Sequence, residues 1–162
     1  IGLGHSEIVF IFGKQKSFSS HQKLNGYLDA LRDSGIEKDE CRIVKGNLSY
    51  DGAYRAVSQL LEEKVRFTAI LGSNDMMAIG AMDALKHEGY RVPEDASVIG
   101  IDDIFWGKVS GIDLTTIHVP KYEMGCRCFE ILKDLIQEPE AEEAHCVLEG
   151  KLVERKSCRT LL

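Results

Sequence analysis

Polar side chains that could bind a ligand follow apolar runs at three points in the chain. They are Lys14 to Ser20 after the first run, Ser73, Asn74 and Asp75 after the third, and Asp102 and Asp103 after the fourth. An amide both donates and accepts hydrogen bonds, whereas a carboxylate only accepts them. The pairing of amide and carboxylate therefore suits the neighbouring hydroxyls of a sugar or a similar polyol.

The same residues also have a purely structural interpretation. Asn74 is a favourable N-cap for the helix that follows, and Asp75 is favourable in its first turn because a helix N-terminus carries partial positive charge. Asp102 and Asp103 could be turn residues in solvent. Spacing alone leaves both interpretations open.

Motifs typical of catalysis or metal binding do not occur in the sequence. It has no phosphate-binding glycine loop, no G-x-S-x-G nucleophile elbow and no H-E-x-x-H zinc motif. Its five histidines show no paired metal spacing. We therefore expect that the chain is not an enzyme and that it uses no metal and no cofactor.

Composition narrows the class of protein further. The net charge of −6 argues against nucleic-acid binding by this chain itself, because such binding normally needs a basic face. Five cysteines without metal-type spacing indicate reduced thiols in the cytoplasm. No apolar run approaches the roughly 20 residues of a membrane helix, and the first residues lack the features of a signal peptide. These features predict a cytoplasmic protein with no membrane partner.

Apolar runs alternate with helical patterns over the first two thirds of the chain. The predicted strands are Glu7–Phe12, Cys41–Gly46, Arg66–Leu71 and Ser97–Ile101, and the predicted helices are Ser17–Gly35, Ser49–Lys64 and Asn74–Gly89. Ser19 or Ser20 could cap the first helix. This alternation predicts an α/β fold, in which a parallel sheet carries helices on both faces and the strand ends meet at one edge.

The last third of the chain does not continue this alternation of strands and helices. Leu114–Val119 is predicted to be extended, and Pro120 can open a helix over Lys121–Glu138. The helix would have an apolar face made of Met124, Cys128, Ile131, Leu132 and Leu135. Ala144–Cys158 alternates around Gly150 and predicts a terminal pair of extended segments.

Five segments together resemble the lactose repressor/galactose repressor (LacI/GalR) family of bacterial transcription regulators. They are LGHSEIVFIFG, QKLNGYLDALRDSGI, TAILGSNDMMAIGAMDALKHEGYRVPEDASVIGIDD, LTTIHVPKYEMG and LVERKS. The similarity extends over nearly the whole chain in the family's order and spacing. It implies a Rossmann-like lobe of the type I periplasmic-binding-protein fold, in which two α/β lobes enclose a small effector.

The resemblance also implies a division of the chain. Residues 1–116 would form the C-terminal lobe, residues 117–143 the crossover and a helix that packs on the first lobe, and residues 144–162 the return segment. The first lobe and the DNA-binding head of such a regulator would lie outside this chain. Without the first lobe, the helix Lys121–Glu138 would fray, repack or pair with a second copy, because an exposed apolar stripe seeks a partner.

Five positions match effector contacts of the family. Asn74 and Asp102 match residues that hydrogen-bond effector hydroxyls, and Ser19 matches a frequent polar contact that could instead be a helix cap. Lys23 replaces the usual arginine. Its ammonium group is a compact charge, whereas the guanidinium of arginine can donate two parallel hydrogen bonds to one ligand group. Leu48 occupies a position that often carries an aromatic stacking residue. These departures imply an atypical sugar or a smaller, more apolar pocket.

Dimer contacts are expected near Trp106 and along the third helix. Trp106 follows the paired aspartates, where the family has its dimer interface, although it could instead roof the ligand cleft or pack within the lobe. Met77, Ile79 and Met82 border the same interface in the family. Burial in the core is an equally good interpretation of these three side chains.

These observations lead to one expected function and two alternatives. We expect the effector-binding and dimerisation lobe of a LacI-type regulator, which takes a small effector such as a sugar, forms a homodimer and reaches DNA only through the missing head. A sugar-binding component of a transport system would share the fold. A small α/β enzyme is the third class, but no catalytic constellation supports it.

Overall fold

The computed structural model describes residues 1–138 and 145–162. Its strands are β1 (Ile8–Phe12), β2 (Ile43–Lys45), β3 (Ala69–Gly72), β4 (Ser97–Asp102), β5 (Thr115–His118) and β6 (Lys151–Val153). Its α-helices are α1 (Phe18–Asp33), α2 (Tyr50–Glu62), α3 (Asp75–His87) and α4 (Lys121–Gln137). Short 3-10 turns occupy Glu40–Arg42 and Phe105–Lys108.

The six strands form one sheet in the order β2-β1-β3-β4-β5-β6. The first five pair in parallel, and β6 runs antiparallel to β5, where Ile117 lies opposite Leu152. The predicted α/β fold with a mainly parallel sheet is confirmed. The parallel strands β1 to β5 therefore end at a common edge, which is where the polar sets were expected to meet.

Helices cover both faces of the sheet, as predicted. On one face, α1 packs Tyr27 and Leu31 against Phe10 and Phe12 of β1. On the other face, α2 and α3 build the larger core around Val9, Ile11, Ile70 and Val98 of the strands. Alternate β1 residues thus belong to different cores, as the two-residue repeat of a strand requires.

Side-chain caps set the starts of three helices. Ser17 Oγ accepts a hydrogen bond from the Ser20 amide, Ser49 Oγ from the Gly52 amide and Asn74 Oδ1 from the Met77 amide. The prediction that Ser19 or Ser20 caps α1 is wrong. Ser20 instead lies buried one turn inside the helix, where its Oγ accepts from the Lys14 amide at 3.1 Å.

The last third differs from the sequence prediction in one respect. A helix starts after Pro120, as predicted, and none of its residues is buried. The predicted terminal pair of strands is wrong as a pair, because residues 145–150 form no regular structure and only Lys151–Val153 joins the sheet, against β5. Ala144, where that prediction began, lies outside the described residues.

No helix in the described ranges is both long enough and apolar enough to span a bilayer.

Candidate functional site

The strand order reverses beside β1, and open α/β sheets have a crevice outside the carboxyl ends of the strands at such a point. β2 lies on one side of β1 and β3 on the other, so the loops that follow β1 and β3 lead away in opposite directions. Open α/β sheets bind ligands at such a switch point. The crevice here is bordered by Lys14 after β1 and by Ser73 and Asn74 after β3.

Lys23 reaches this crevice from α1. Its Nζ donates a hydrogen bond to the Ser73 carbonyl oxygen at 2.8 Å. The charge of Lys23 also acts on the Asp102 carboxyl, since it is the largest of the effects that lower the pKa of that group. The structure therefore brings Lys23, Ser73 and Asp102 to one edge.

Asn74 uses one end of its amide for the helix and leaves the other end available. Its Oδ1 accepts from the Met77 amide at 2.8 Å, which satisfies one of the unpaired donors at the α3 N-terminus. Within the described part of the chain, its Nδ2 makes no hydrogen bond. Asn74 is half-buried, so this nitrogen is held in place as a donor at the crevice.

Ser73 adds a second polar atom without a partner. Its side chain is fully buried, and its Oγ is the buried side-chain polar atom that lacks a hydrogen bond among residues 1–138 and 145–162. Native proteins rarely leave such an atom unsatisfied without a structural or functional reason. Its position directly before Asn74 places it beside the crevice.

Asp75 is a structural residue. Its side chain is fully buried, its Oδ1 accepts from Thr116 Oγ1 at 2.5 Å and its Oδ2 accepts from the Ile104 amide at 2.8 Å. A side chain at Gly100 would collide with this carboxylate, so the glycine of the β4 strand makes room for it. Asp75 thus fastens the start of α3 to β5 and to the loop after β4.

Asp102 is the half-buried carboxyl at the end of β4. Burial raises the pKa of Asp102, the charge of Lys23 lowers this pKa, and the charge of nearby Asp75 raises it. Its φ of 127° lies in the region that side chains rarely adopt. A strained residue with a perturbed pKa at the mouth of a crevice is typical of a functional site.

Asp103, by contrast, is enclosed by basic side chains. Its carboxylate accepts from Arg155 Nη2 at 2.6 Å and from His118 Nδ1 at 2.9 Å, and Lys108 Nζ lies 3.4 Å away. Burial by itself would raise the pKa of Asp103, but hydrogen bonds from Arg155, His118 and Lys108 outweigh burial and lower the pKa to about 2. Asp103 therefore holds the loop after β4 in place.

Three cationic or imidazole side chains of the last third converge on the Asp102–Asp103 turn. His118 ends β5, Arg155 follows β6, and Lys121 begins α4 and donates from Nζ to the Asp102 carbonyl oxygen. The turn is thus attached both to the segment that leaves the sheet and to the segment that returns to it. Any ligand that acts on Asp102 acts directly beside both connections.

The other two residues expected at the ligand site lie at the same end of the sheet. Ser19 is exposed in the first turn of α1. Leu48 follows β2 with a φ of 59°, and a side chain at Gly13 would overlap it, so Leu48 covers the end of β1. Leu48 is 38% exposed and offers an apolar surface without an aromatic ring.

The expected dimer residues fall into two groups. Met77, Ile79 and Met82 are 0%, 7% and 3% exposed and belong to the core between α2, α3 and the sheet. The core interpretation therefore describes these side chains, and Met77 has no surface to offer to a second chain. Trp106 is 60% exposed, and its ring packs edge-to-face on Phe105, which is 73% exposed.

Sequence reasoning missed the partners of Asp103. Arg155 lies within the family-like segment LVERKS, and His118 lies within LTTIHV, but neither signals a contact with a residue far away in the chain. Thr116, the partner of Asp75, was missed for the same reason. Across the described ranges, no group of three or more His, Cys, Asp or Glu residues is arranged to hold a metal ion.

Comparison with known proteins identifies proteins that are similar to this chain. The HTH-type transcriptional repressor PurR of Vibrio atlanticus is 37% identical over 158 residues, which are 98% of this chain and 47% of that protein. The transcriptional regulator CelR in complex with cellobiose superimposes with a TM-score of 0.91 at 32% identity, covering 96% of this chain and 48% of CelR. The lac repressor dimer, bound to operator and the anti-inducer ONPF, gives 0.89 at 31% identity, covering 98% of this chain and 55% of that chain.

This chain spans about half the length of these relatives. The family model described as a periplasmic binding protein-like domain matches residues 1–158. The sheet order, the polar crevice and the relatives agree on one assignment. The chain belongs to the periplasmic binding protein-like family, in the form found in LacI-family transcription regulators.

Proposed function

We propose that this chain is the effector-binding lobe of a LacI-family repressor and that it binds a small molecule rich in hydroxyl groups. Asn74 and Asp102 make the central contacts, and Lys23, Ser19 and Leu48 border them. The observation that carries the proposal is the unused amide nitrogen of Asn74 at the same edge as the strained carboxyl of Asp102.

The chemistry of this edge fits a polyol. Asn74 Nδ2 donates, the Asp102 carboxylate accepts, and a hydroxyl group can do both, so two neighbouring hydroxyls can pair with the two residues. Lys23 already donates to Ser73 and has two further N–H donors for a ligand. Leu48 provides apolar surface for the face of a small ring. The similar regulator CelR forms a complex with cellobiose, which supports a sugar or a sugar-like effector.

The proposed mechanism is a shift between two arrangements of two lobes. Residues 117–143 cross to a first lobe and residues 144–162 return from it, in the division that we infer for the whole protein. Lys121, His118 and Arg155 attach both connections to the Asp102–Asp103 turn. An effector that binds Asp102 more tightly in one arrangement shifts the population toward that arrangement.

The whole protein would repress transcription as a homodimer, with DNA held by a head outside this chain. The relatives support this, since PurR is named an HTH-type repressor and the lac repressor is a dimer on its operator. They favour the regulator over a sugar-binding transport component of the same fold. The proposal assigns binding rather than catalysis, places the protein in the bacterial cytoplasm, and expects no DNA affinity from this chain alone at physiological salt.

Amide NMR spectra of the chain, titrated with cellobiose, test the ligand site. We expect shifts centred on Asn74, Asp102 and Lys23, which the variants Asn74→Ala and Asp102→Asn remove. Asp113→Asn is the matched control, because Asp113 also has a positive φ but precedes β5 at the opposite edge of the sheet. Shifts elsewhere, or shifts that survive both site variants, would contradict the proposed site.

A further inference from the structure

A groove separates α4 from the segment that leads to β6. Its volume is about 330 Å³. It is lined by side chains from both walls: Met124, Arg127, Cys128 and Ile131 from α4, and His145, Cys146 and Leu148 from the segment. Each wall therefore contributes one cysteine to the same space, and both cysteines are exposed free thiols.

Helix geometry selects Cys128 over its neighbour. The lining residues of α4 follow the spacing of one helix face, whereas Cys126 lies two residues earlier, about 200° around the axis. Cys126 is also an exposed free thiol, but it does not line the groove. Of the α4 thiols, Cys128 is therefore the one that shares the groove with Cys146.

Arg127 lies beside Cys146 in the groove. The pKa of Arg127 is raised first by its hydrogen bond with Glu130, then by the charge of Glu130, and also by the charge of Cys146. This interaction places the guanidinium close to the Cys146 sulfur. The thiolate is the form of a cysteine that attacks a disulfide.

We propose that Cys128 and Cys146 form a reversible intrachain disulfide when the protein meets a low-molecular-weight disulfide such as oxidised glutathione. The Cys146 thiolate attacks one glutathione sulfur, so that a mixed disulfide forms and one glutathione thiolate leaves. The Cys128 thiolate then attacks the Cys146 sulfur, the protein disulfide forms and the second glutathione leaves. Two protein thiols are oxidised, one glutathione disulfide is reduced to two thiols, and the two protons from the cysteines end on the released glutathione.

The bond would join α4 to the segment before β6. In the reducing cytoplasm both thiols remain reduced, so the disulfide is a response to oxidant rather than a permanent staple. The site is separate from the polar crevice, and the proposal does not depend on the identity of an effector. It makes Cys128 and Cys146 a thiol modification site on the two segments that connect to the sheet.

Oxidation of the 162-residue chain with oxidised glutathione tests this proposal. The reaction is quenched with acid, the remaining thiols are alkylated, and the products are separated on a non-reducing gel and mapped by peptide mass spectrometry. We expect a monomeric species that has lost two of its five thiols and yields a linked Cys128–Cys146 peptide. That peptide should exceed a Cys126–Cys146 peptide by about tenfold or more, because thiols held across a groove have a high effective concentration.

Serine variants give the matched comparison. Cys128→Ser and Cys146→Ser should each remove the intrachain disulfide, whereas Cys126→Ser and Cys41→Ser should retain it, since all four thiols are exposed and none supports the core. Undiminished intrachain oxidation in Cys128→Ser would overturn the assignment. So would a wild-type chain that yields only glutathione adducts or only interchain disulfides.

Discussion

Asp103 Oδ1 lies 2.6 Å from Arg155 Nη2, although 52 residues separate the two in the chain. Both side chains are mostly shielded from water, with 7% and 16% of their surface exposed. The pair attaches the loop after β4 to the segment that follows β6. It is therefore a link between the candidate ligand site and the last segment of the chain.

This link gives stability a specific dependence on pH. The pKa of Asp103 is lowered from 3.8 to about 2 in the folded chain, against the opposing effect of burial. Such a carboxyl stabilises the fold above its unfolded pKa, and the contribution is lost as pH falls through the folded value. We expect Asp103→Asn to lower the free energy of unfolding by about 2 kcal/mol at pH 7, with the difference from wild type shrinking between about pH 4 and pH 2.

Urea unfolding of both proteins across this pH range measures the difference. Asp95→Asn is the control, because hydrogen bonds from Arg91 also lower the pKa of Asp95 to about 2, but at the protein surface. Its effect should be smaller and should weaken with salt, since surface ion pairs are screened. A pH-independent difference for Asp103→Asn would contradict the role of the charge.

Asp102 should behave in the opposite way. Burial raises its pKa in the folded chain, so its charged form is disfavoured by folding and it costs stability above its unfolded pKa. We expect Asp102→Asn to stabilise the chain at pH 7, to lose that advantage in acid below the unfolded pKa, and to abolish ligand-induced NMR shifts. Thermal unfolding at pH 7 and pH 3 measures the first two effects. A variant that is less stable at pH 7 would mean that the carboxylate holds the turn rather than a ligand.

Asn74 can be tested for its two roles separately. Asn74→Ala removes both the cap acceptor and the free amide nitrogen, and should lower the free energy of unfolding by about 1 kcal/mol. Asn74→Asp keeps an acceptor for the Met77 amide but removes the donor, so stability should stay within about 0.5 kcal/mol of wild type. Urea unfolding and cellobiose titration of both variants check these expectations.

Ser49→Ala provides the matched capping control, since Ser49 caps α2 through the Gly52 amide. It should cost stability as Asn74→Ala does but leave ligand-induced shifts unchanged. Retention of ligand shifts by Asn74→Asp would show that the amide donor is not used.

Local sequence signals predicted the elements and the Asn74 cap because both depend on residues that are near in the chain. The apolar runs and helical spacing were sufficient to predict the sheet and its helices. The prediction of Ser19 or Ser20 as the cap of α1 failed because the nearby Ser17, which is the cap, has the same capping chemistry, and only Ser20 has its place fixed by burial. Asp102 and Asp103 are chemically alike, and only distant Arg155 and His118 make Asp103 the enclosed member.

The role of α3 was ambiguous for a different reason. Met77, Ile79 and Met82 follow no single helix stripe, since α3 is apolar on most sides and packs on both α2 and the sheet. Periodicity does not reveal which side of such a helix is covered by its own fold. The exposure of Trp106 likewise depends on the path of the loop after β4.

Asp75 and Thr116 should be energetically coupled. Asp75→Ala leaves the buried Thr116 hydroxyl and the Ile104 amide without the acceptor of their hydrogen bonds, and should cost about 3 kcal/mol. Thr116→Val in the Asp75→Ala background should cost little more, because the partner is already lost. Urea unfolding of the double-mutant cycle measures the coupling. Asp51→Ala, an exposed carboxylate in the first turn of α2, is the control and should cost less than about 1 kcal/mol.

Trp106 remains the predicted contact between two copies of the chain. Its indole is 60% exposed beside Phe105, and exposed aromatic pairs are typical of interface anchors. We expect sedimentation equilibrium to find a dimer that Trp106→Ala weakens by at least about tenfold, while urea unfolding of the variant shows little loss of stability, since an exposed side chain contributes little to the core. Tyr122→Ala is the control, because Tyr122 is 87% exposed on α4, outside this patch. A wild-type monomer would assign self-association to segments outside this chain, and a dimer lost in Tyr122→Ala would move the interface to α4.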